Sequence, residues 1–283
     1  MGSATMDTAA PPVVGIRELA RRISDGARLA LPPDYAGCAM AVVTELMRRP
    51  VRDLHIVAVP AGGFQVDQLI GAGCVARVEA AAVTLGEHGL APRFTAAIKS
   101  GELEMWDATC PALHAGLQAA EKGIPFMPLR GIIGSDLLRV RPDWRVIQNP
   151  LAESGVDDPI VILPAIRPDI ALFHAEKADR HGNVWIGVRR ELMLMAHAAK
   201  ATCVSVERIE DADFLSDPAL AAGTIPSLYV SALAIAPNGA HPIGLAGCYL
   251  ADGEALARYA RAARTVEGFS TWLAGHLEER VLA

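Results

Sequence analysis

Two short apolar runs, Ile160-Val-Ile-Leu163 and Ile170-Ala-Leu-Phe173, each set among prolines and followed after Phe173 by a burst of polar residues, limit the fold of this chain more than any other feature. Continuous runs of β-branched and large apolar residues mark strands covered on both faces, which belong to parallel sheets flanked by helices. His174, Glu176 and Asp179 then arrive where such a strand leaves the core. Arg180-His-Gly-Asn183 has the composition of a tight turn, since Gly182 and Asn183 both tolerate positive φ, and Val184-Trp-Ile186 restarts a strand. A hairpin at a sheet edge is expected there.

The rest of the chain alternates in the same sense. Gly15 to Arg49 has a helical pattern broken by Ala30-Leu-Pro-Pro-Asp-Tyr35, with a second helix over Ala36 to Arg49 that ends on cations and is stopped by Pro50. Leu54 to Val59 and Cys74 to Val78 are predicted strands, separated by the Gly-rich turn Pro60 to Phe64 and a short helix or turn over Gln65 to Gly71. A helix is predicted from Cys110, with Pro111 in its first turn, to a cap at Gly123, followed by a strand over Phe126 to Arg130. Arg190 to Lys200 is predicted as a helix, Thr202 to Glu207 as a strand, and Leu250 to Leu282 as helix docked outside the sheet. Strands alternating with helices imply an α/β fold: an open, mostly parallel sheet with crossover helices. Residues 1–13 read as a disordered leader without the apolar centre of a signal peptide, and residues 14–283 as one domain.

Composition narrows the function classes. No stretch supplies the ~20 continuous apolar residues of a membrane span, so a soluble, cytoplasmic protein without membrane contact is expected. The net charge of −6 and the lack of a basic stripe argue against nucleic acid as a partner. The five cysteines are scattered and form no Cys-x-x-Cys pair, which suggests neither a disulfide framework nor a zinc knuckle. His174, Glu176, Asp179 and His181 fall along a strand and turn that scatters their side chains, so no metal set is expected.

In open parallel sheets ligands bind at the carboxyl ends of the strands. Gly62 and Gly63 follow one strand, where backbone without Cβ atoms can approach a carbonyl or phosphate closely, or serve as an ordinary tight turn. Arg130 ends another strand before Gly131, placed either to grip a carboxylate or phosphate in bidentate fashion or to make an intramolecular ion pair. His174 reads first as a satisfied structural histidine and only second as a general base. Glu207 reads as half of a local ion pair with Arg208, or else as a buried carboxylate with a shifted pKa.

The segment His174-x-x-x-Ala-Asp179-x-x-Gly182-Asn183 resembles an element of class I coenzyme A transferases, in their α-type half, and is similar to the α-type chain of the glutaconate CoA-transferases. Further motifs agree in order: Ala61-Gly-Gly-Phe64 running into Asp67-Gln-Leu-Ile-Gly-Ala-Gly73, Gly123-Ile-Pro-Phe-Met-Pro-Leu-Arg130-Gly, Cys203-Val-Ser-Val-Glu207-Arg-Ile, and Pro237-Asn-Gly-Ala-His241-Pro, over roughly Ile23 to Ala262. The resemblance implies a CoA-transferase-like fold and exchange of CoA between an acyl-CoA and a carboxylic acid, with a CoA thioester as substrate and no tightly bound cofactor. It implies that Gly62, Gly63, Phe64, Asp107, Arg130 and Gly131 face the substrate, with Asp107, Arg130 and His174 in support. In such enzymes the acyl group is carried on a glutamate, both nucleophile and leaving group, which the family places in a Glu-Asn-Gly-like element of the β-type half.

That element does not occur in this chain, so the resemblance implies a heterodimer whose catalytic residue is supplied by a β-type partner. Some relatives are instead hydrolases that open rings of steroid-derived CoA thioesters, with a glutamate that would fall at or next to Cys110; Thr109-Cys110-Pro111 stands there. A third alternative is a non-catalytic acyl-CoA-binding paralogue. The Gly-Phe-rich loop that follows the first strand in typical relatives is replaced by Leu29-Ala-Leu-Pro-Pro-Asp-Tyr35, so the resemblance does not name the acid.

Overall fold

A computed structural model describes residues 10–49 and 51–279. In chain order the elements are α1 (Ile16–Arg21), β1 (Arg28–Leu31), α2 (Met40–Arg48), β2 (Leu54–Ala58), β3 (Ala61–Gly62), α3 (Phe64–Gly71), β4 (Val75–Ala80), β5 (Ala82–Val83), α4 (Pro92–Ser100), β6 (Glu104–Asp107), α5 (Cys110–Glu121), β7 (Phe126–Leu129), α6 (Leu137–Val140), β8 (Arg145–Gln148), β9 (Pro159–Pro164), β10 (Ile170–Asp179), β11 (Val184–Trp185), α7 (Arg190–Ala198), β12 (Ala201–Glu210), β13 (Thr224–Ile225), β14 (Ala232–Ile235), α8 (Gly253–Ala262) and α9 (Val266–Glu279).

Seven of these strands form a parallel sheet in the order β14-β12-β10-β1-β2-β4-β6. The chain runs outward from β1 through β2, β4 and β6, then returns to the other side of β1 and runs outward again through β10, β12 and β14. The direction of winding therefore reverses between β1 and β10, the place where open α/β sheets form a crevice. A small antiparallel sheet, β7-β9-β8, is built between the two halves of the winding.

The core follows the strand alternation. Ile170 and Leu172 face one apolar cluster with Leu46, Leu69, Tyr259 and Phe269, while Ala171, Phe173 and Ala175 face a second with Leu113, Leu117, Val161 and Met195. Strands buried on both faces are thus the middle layer between α1, α2, α3, α8 and α9 on one side and α5, α7 and β9 on the other, as the run Ile170–Phe173 predicts, whereas the run Ile160–Leu163 belongs to β9 of the small antiparallel sheet.

Three expectations need correction. Arg28–Leu31 lies inside a stretch read as helical, yet it is the central strand of the sheet: four residues are too few to show a period, and burial between β2 and β10 decides them. The hairpin does not lie at a sheet edge. β10 is ten residues long and pairs with β1 only at Ile170 and Ala171, so β11 pairs antiparallel with its Lys177–Ala178 end on the flank that β1 has left. In its turn Gly182 takes positive φ (81°) and Asn183 does not. Of the expected leader, residues 1–9 lie outside the described residues, but Val14 N donates to the Leu233 carbonyl and Leu233 N to that of Pro12, which ties Pro12 onward to the sheet. Pro50, read as the stop of α2, and residues 280–282, read as the end of the last helix, also lie outside the described residues.

Candidate active site

At the carboxyl end of β1 the chain leaves the sheet through Pro32 and Pro33 and returns at Gly37, whose carbonyl accepts from His174 N at 2.8 Å. Gly37 has φ +89°, and a Cβ there would run into the His174 carbonyl, so glycine is required where the excursion rejoins β10. The excursion leaves Tyr35 overhanging the gap between β1 and β10, 61% exposed. Beneath it opens a crevice of about 220 Å3, walled by Tyr35, Trp185, Ile186, Leu192 and Leu245, with Glu176 and Arg189 as its charged groups. The Arg189 guanidinium lies over the Tyr35 ring, 5.1 Å from its centre.

His174 forms the floor and is fully buried. Its Nε2 donates to Glu207 at 2.7 Å and its Nδ1 lies 2.8 Å from the Ser205 hydroxyl. The pairing comes from register, since β10 and β12 run in parallel with His174 beside Ser205 and every second side chain on the same face. Glu207 also accepts from Tyr249 Oη at 2.8 Å and from Asn238 N at 2.7 Å. Burial pushes its carboxyl up, but the hydrogen bonds from His174, Tyr249 and Asn238 outweigh that and hold it down at about 2. Glu207 is therefore a half-buried carboxylate with a lowered pKa, paired with His174 and not with Arg208, which bonds Glu176 at 2.8 Å and Glu210 at 2.9 Å. His174 is held at both ring nitrogens, and the whole group ties β10, β12 and the turn after β14 together.

The Asp179…Gly182-Asn183 part of the motif is likewise a brace. Asp179, buried, accepts from His181 N, Asn183 N, the Asn183 side chain and Phe214 N, all at 2.8–2.9 Å. It holds the turn that carries Trp185 to Arg189 into the crevice wall.

Gly62, Gly63 and Phe64 are buried and do not line this crevice; Asp34, the residue before Tyr35, ties them to the excursion. Phe64 N donates to both carboxylate oxygens of Asp34 at 3.2 Å, so the first turn of α3 already holds an anion, and a Cβ on Gly63 would collide with that carboxylate. Burial raises the Asp34 carboxyl to about 6, against the pull of the Phe64 N–H and the Cys38 thiol.

Asp107 ends β6, whereas Arg130 and Gly131 follow β7 of the small antiparallel sheet; the segment after Gly131 returns to β6 at Arg141. Arg141, buried at the end of that segment, donates to the Asp107 carbonyl at 3.2 Å, to Glu79 at 2.8 Å and to Asp143 at 2.9 Å, with Trp106 and Trp144 against its guanidinium. Glu79 is itself fully buried; burial opposes its charge, but His55, Arg28 and Arg141 hold its carboxyl at about 2. Asp107 and Cys110 are exposed at the surface end of this arrangement, and Thr109 caps α5 by accepting from Ala112 N. Arg130 spends its bidentate grip on Asp158, the intramolecular pair of its two alternatives, and Gly131 is exposed beside it.

Sequence reasoning marks Leu29 to Tyr35 as standing where relatives carry a different loop, without naming Tyr35 as a contact, and does not single out the residues after Gly187. Their signals are an aromatic after a double proline and an arginine directly preceding a helix, both common on ordinary surfaces.

A family model described as Coenzyme A transferase matches residues 15–233. The chain belongs to the coenzyme A transferase family. It is 32% identical over 266 residues to the A-type subunit of 3-oxoadipate CoA-transferase from Pseudomonas knackmussii, covering 91% of this chain and 90% of that one. It is 31% identical over 244 residues to the cholesterol ring-cleaving hydrolase IpdA subunit of Rhodococcus jostii, covering 84% and 82%. Among solved structures, glutaconate coenzyme A-transferase from Acidaminococcus fermentans superposes with a TM-score of 0.83 at 28% identity, covering 93% of this chain and 87% of that one. A variant of the decarboxylase AibA/AibB superposes at 0.81 and 30%, covering 94% and 100%. The chain spans 51% of the length of an uncharacterized Archaeoglobus fulgidus protein to which it is 31% identical over 236 residues. Over most of its length this CoA-transferase-family chain is similar to the A subunits among these relatives.

Proposed function

We propose that the chain is the A-type half of a two-chain CoA transferase that moves CoA between a thioester and a free carboxylic acid, with the catalytic glutamate on a B-type partner. One observation carries this reading: among the described residues a single carboxylate, Glu176, lines the crevice, and it is engaged by Arg208 at 2.8 Å. A nucleophilic carboxylate must reach the thioester carbon with a lone pair free, and Glu207 nearby is saturated by donors and held ionised by them. The wall, floor and orienting groups are present; the attacking carboxylate comes from across an interface.

In this arrangement the crevice between β1 and β10 receives the acyl group, and the Gly62-Gly63 turn, fixed by Asp34, forms the adjoining edge. Asp107, Arg130 and Gly131 line the side towards the partner, braced from behind by Arg141. The test is to purify the chain with a B-type partner chain and follow acyl exchange between an acyl-CoA and an isotopically labelled acid. Exchange that needs both chains supports the proposal. Net hydrolysis or decarboxylation of the thioester, without exchange, overturns it in favour of the chemistry named for the hydrolase and decarboxylase relatives.

A further inference from the structure

We infer that β8 is a docking edge for a second copy of this chain, the two strands pairing antiparallel about a two-fold axis at Ile147. β8 contributes no residue to the crevice, so the inference is independent of the reaction proposed above.

The edge is open. β8 pairs with β9 on one side, and among the described residues nothing pairs with it on the other. All of Arg145-Val-Ile-Gln148 is exposed, Val146 at 48% and Ile147 at 38%. Edge strands that stay single are commonly interrupted by proline, lysine or a bulge; β8 has none of these and pairs with β9 residue for residue. The outer side of β14, by contrast, is covered by the chain itself, where Val14 N donates to the Leu233 carbonyl.

The edge is also held in place. The Asn149 side chain donates to the Asp158 carboxylate at 2.7 Å, and Asp158 N donates to the Gln148 side chain at 3.1 Å, so the end of the hairpin is stapled and β8 gives up little freedom on docking.

Backbone bonding fixes the register. Asn149 N is spent on the Asp158 carbonyl at 2.9 Å, and Pro159, opposite Gln148, has no N–H. In the alternating antiparallel ladder, Arg145, Ile147 and Asn149 therefore bond towards β9, while the N–H and C=O groups of Val146 and Gln148 point outward. A two-fold at Ile147 brings both groups of Val146 to both groups of Gln148 in the other copy, and the reverse, leaving none unused. Ile147 then meets its own counterpart at a non-hydrogen-bonded position, where opposing side chains come closest.

Charge selects the same occupant. Arg145 is exposed with no ion-pair partner among the described residues, and Asp157, also exposed, is held only by the Gln148 side chain, at 2.9 Å. The axis carries each Arg145 to the Gln148–Asn149 end of the other strand, where Asp157 stands. A second copy thus supplies the missing countercharge twice over. So short a contact falls below the ~1,200–2,000 Å2 of stable interfaces, and the association is reversible and concentration-dependent.

The experiment follows the mass of the full chain by sedimentation velocity against concentration, in wild-type, Ile147→Lys, Arg145→Glu and Arg145→Glu/Asp157→Arg forms, with melting temperatures alongside. Wild type should form a dimer. Ile147→Lys sets like charges directly opposite each other and should weaken association roughly tenfold without lowering the melting temperature. Arg145→Glu should weaken it and the double reversal restore it. Under mild oxidation, Ile147→Cys should trap a cross-linked dimer that neither wild type nor Val146→Cys forms, a readout that stands even if the lysine variant does not fold. Wild type that stays monomeric at the highest concentration attained overturns the inference, as does a dimer indifferent to Ile147→Lys or cross-linked equally well through Val146→Cys. An Ile147→Lys chain that keeps its own mass but loses a B-type partner chain also overturns it, assigning the edge to that partner.

Discussion

At the scale of single residues, two carboxyls are pushed in opposite directions and should leave opposite marks on stability. Glu207 is held at about 2, below its ordinary value of 4.5, so its contribution is complete above the ordinary value and is lost as pH falls through the lowered one. Asp34 is raised to about 6 from 3.8, so its contribution is complete below 3.8 and is lost as pH rises through 6. An Asp34→Asn variant should therefore lose less stability than wild type between pH 4 and pH 7, read from melting temperatures across that range; parallel curves would show that the carboxyl is not buried as described. Glu207→Gln leaves its donors poorly matched and should cost about 1–3 kcal/mol in denaturant unfolding at neutral pH. Arg130→Ala removes an exposed ion pair worth about 0–1 kcal/mol, so unfolding should barely change. If the loop meets the partner's reacting groups, turnover of the reconstituted pair should still fall at least tenfold. Unchanged turnover would confine Arg130 to its pair with Asp158.

At the scale of elements, the β1 excursion is the part on which the site depends most. Gly37→Ala forces an alanine into φ +89° and a Cβ into the His174 carbonyl, and should destabilise by more than about 1 kcal/mol, with loss of acyl-group binding in step. Arg141→Lys keeps the charge but cannot serve the Asp107 carbonyl, Glu79 and Asp143 together. Amide exchange over 104–110 should accelerate in that variant, and unaltered protection would show that the loop is held by other means. The sequence is readable here where an element is long and its burial symmetric, as in the apolar run of β10 and in α5 between Thr109 and Gly123. It is unreadable where pairing decides the outcome. Nothing local in Arg28-Leu-Ala-Leu31 marks a central strand, and nothing local shows that β1 stops after two residues beside β10. The position of the hairpin follows from that stop.

For the whole molecule, the motifs locate the family and the fold while leaving Tyr35 and Arg189 unmarked, for a physical reason. Asp179, Gly182, Asn183, His174 and Glu207 are recognisable because their hydrogen bonds tolerate few substitutes; Tyr35 and Arg189 are held by stacking and exposure, which leave little trace in one sequence. The proposed division of labour predicts that the chain alone is silent in the exchange assay and that activity rises with added B-type partner to a break at one-to-one. Activity of the isolated chain would place the nucleophile here after all.

The fork where β1 gives way to β11 along one flank of β10 separates the jobs of floor and rim. The floor is hydrogen-bonded backbone plus the His174–Glu207 brace, whereas the rim is a handful of side chains on two connecting segments. Exchanging Tyr35 and the residues from Val188 to Leu192 for other sets should therefore redirect such an enzyme towards longer, shorter or uncharged acids without refolding its sheet, making this corner a natural target for directed changes of substrate range.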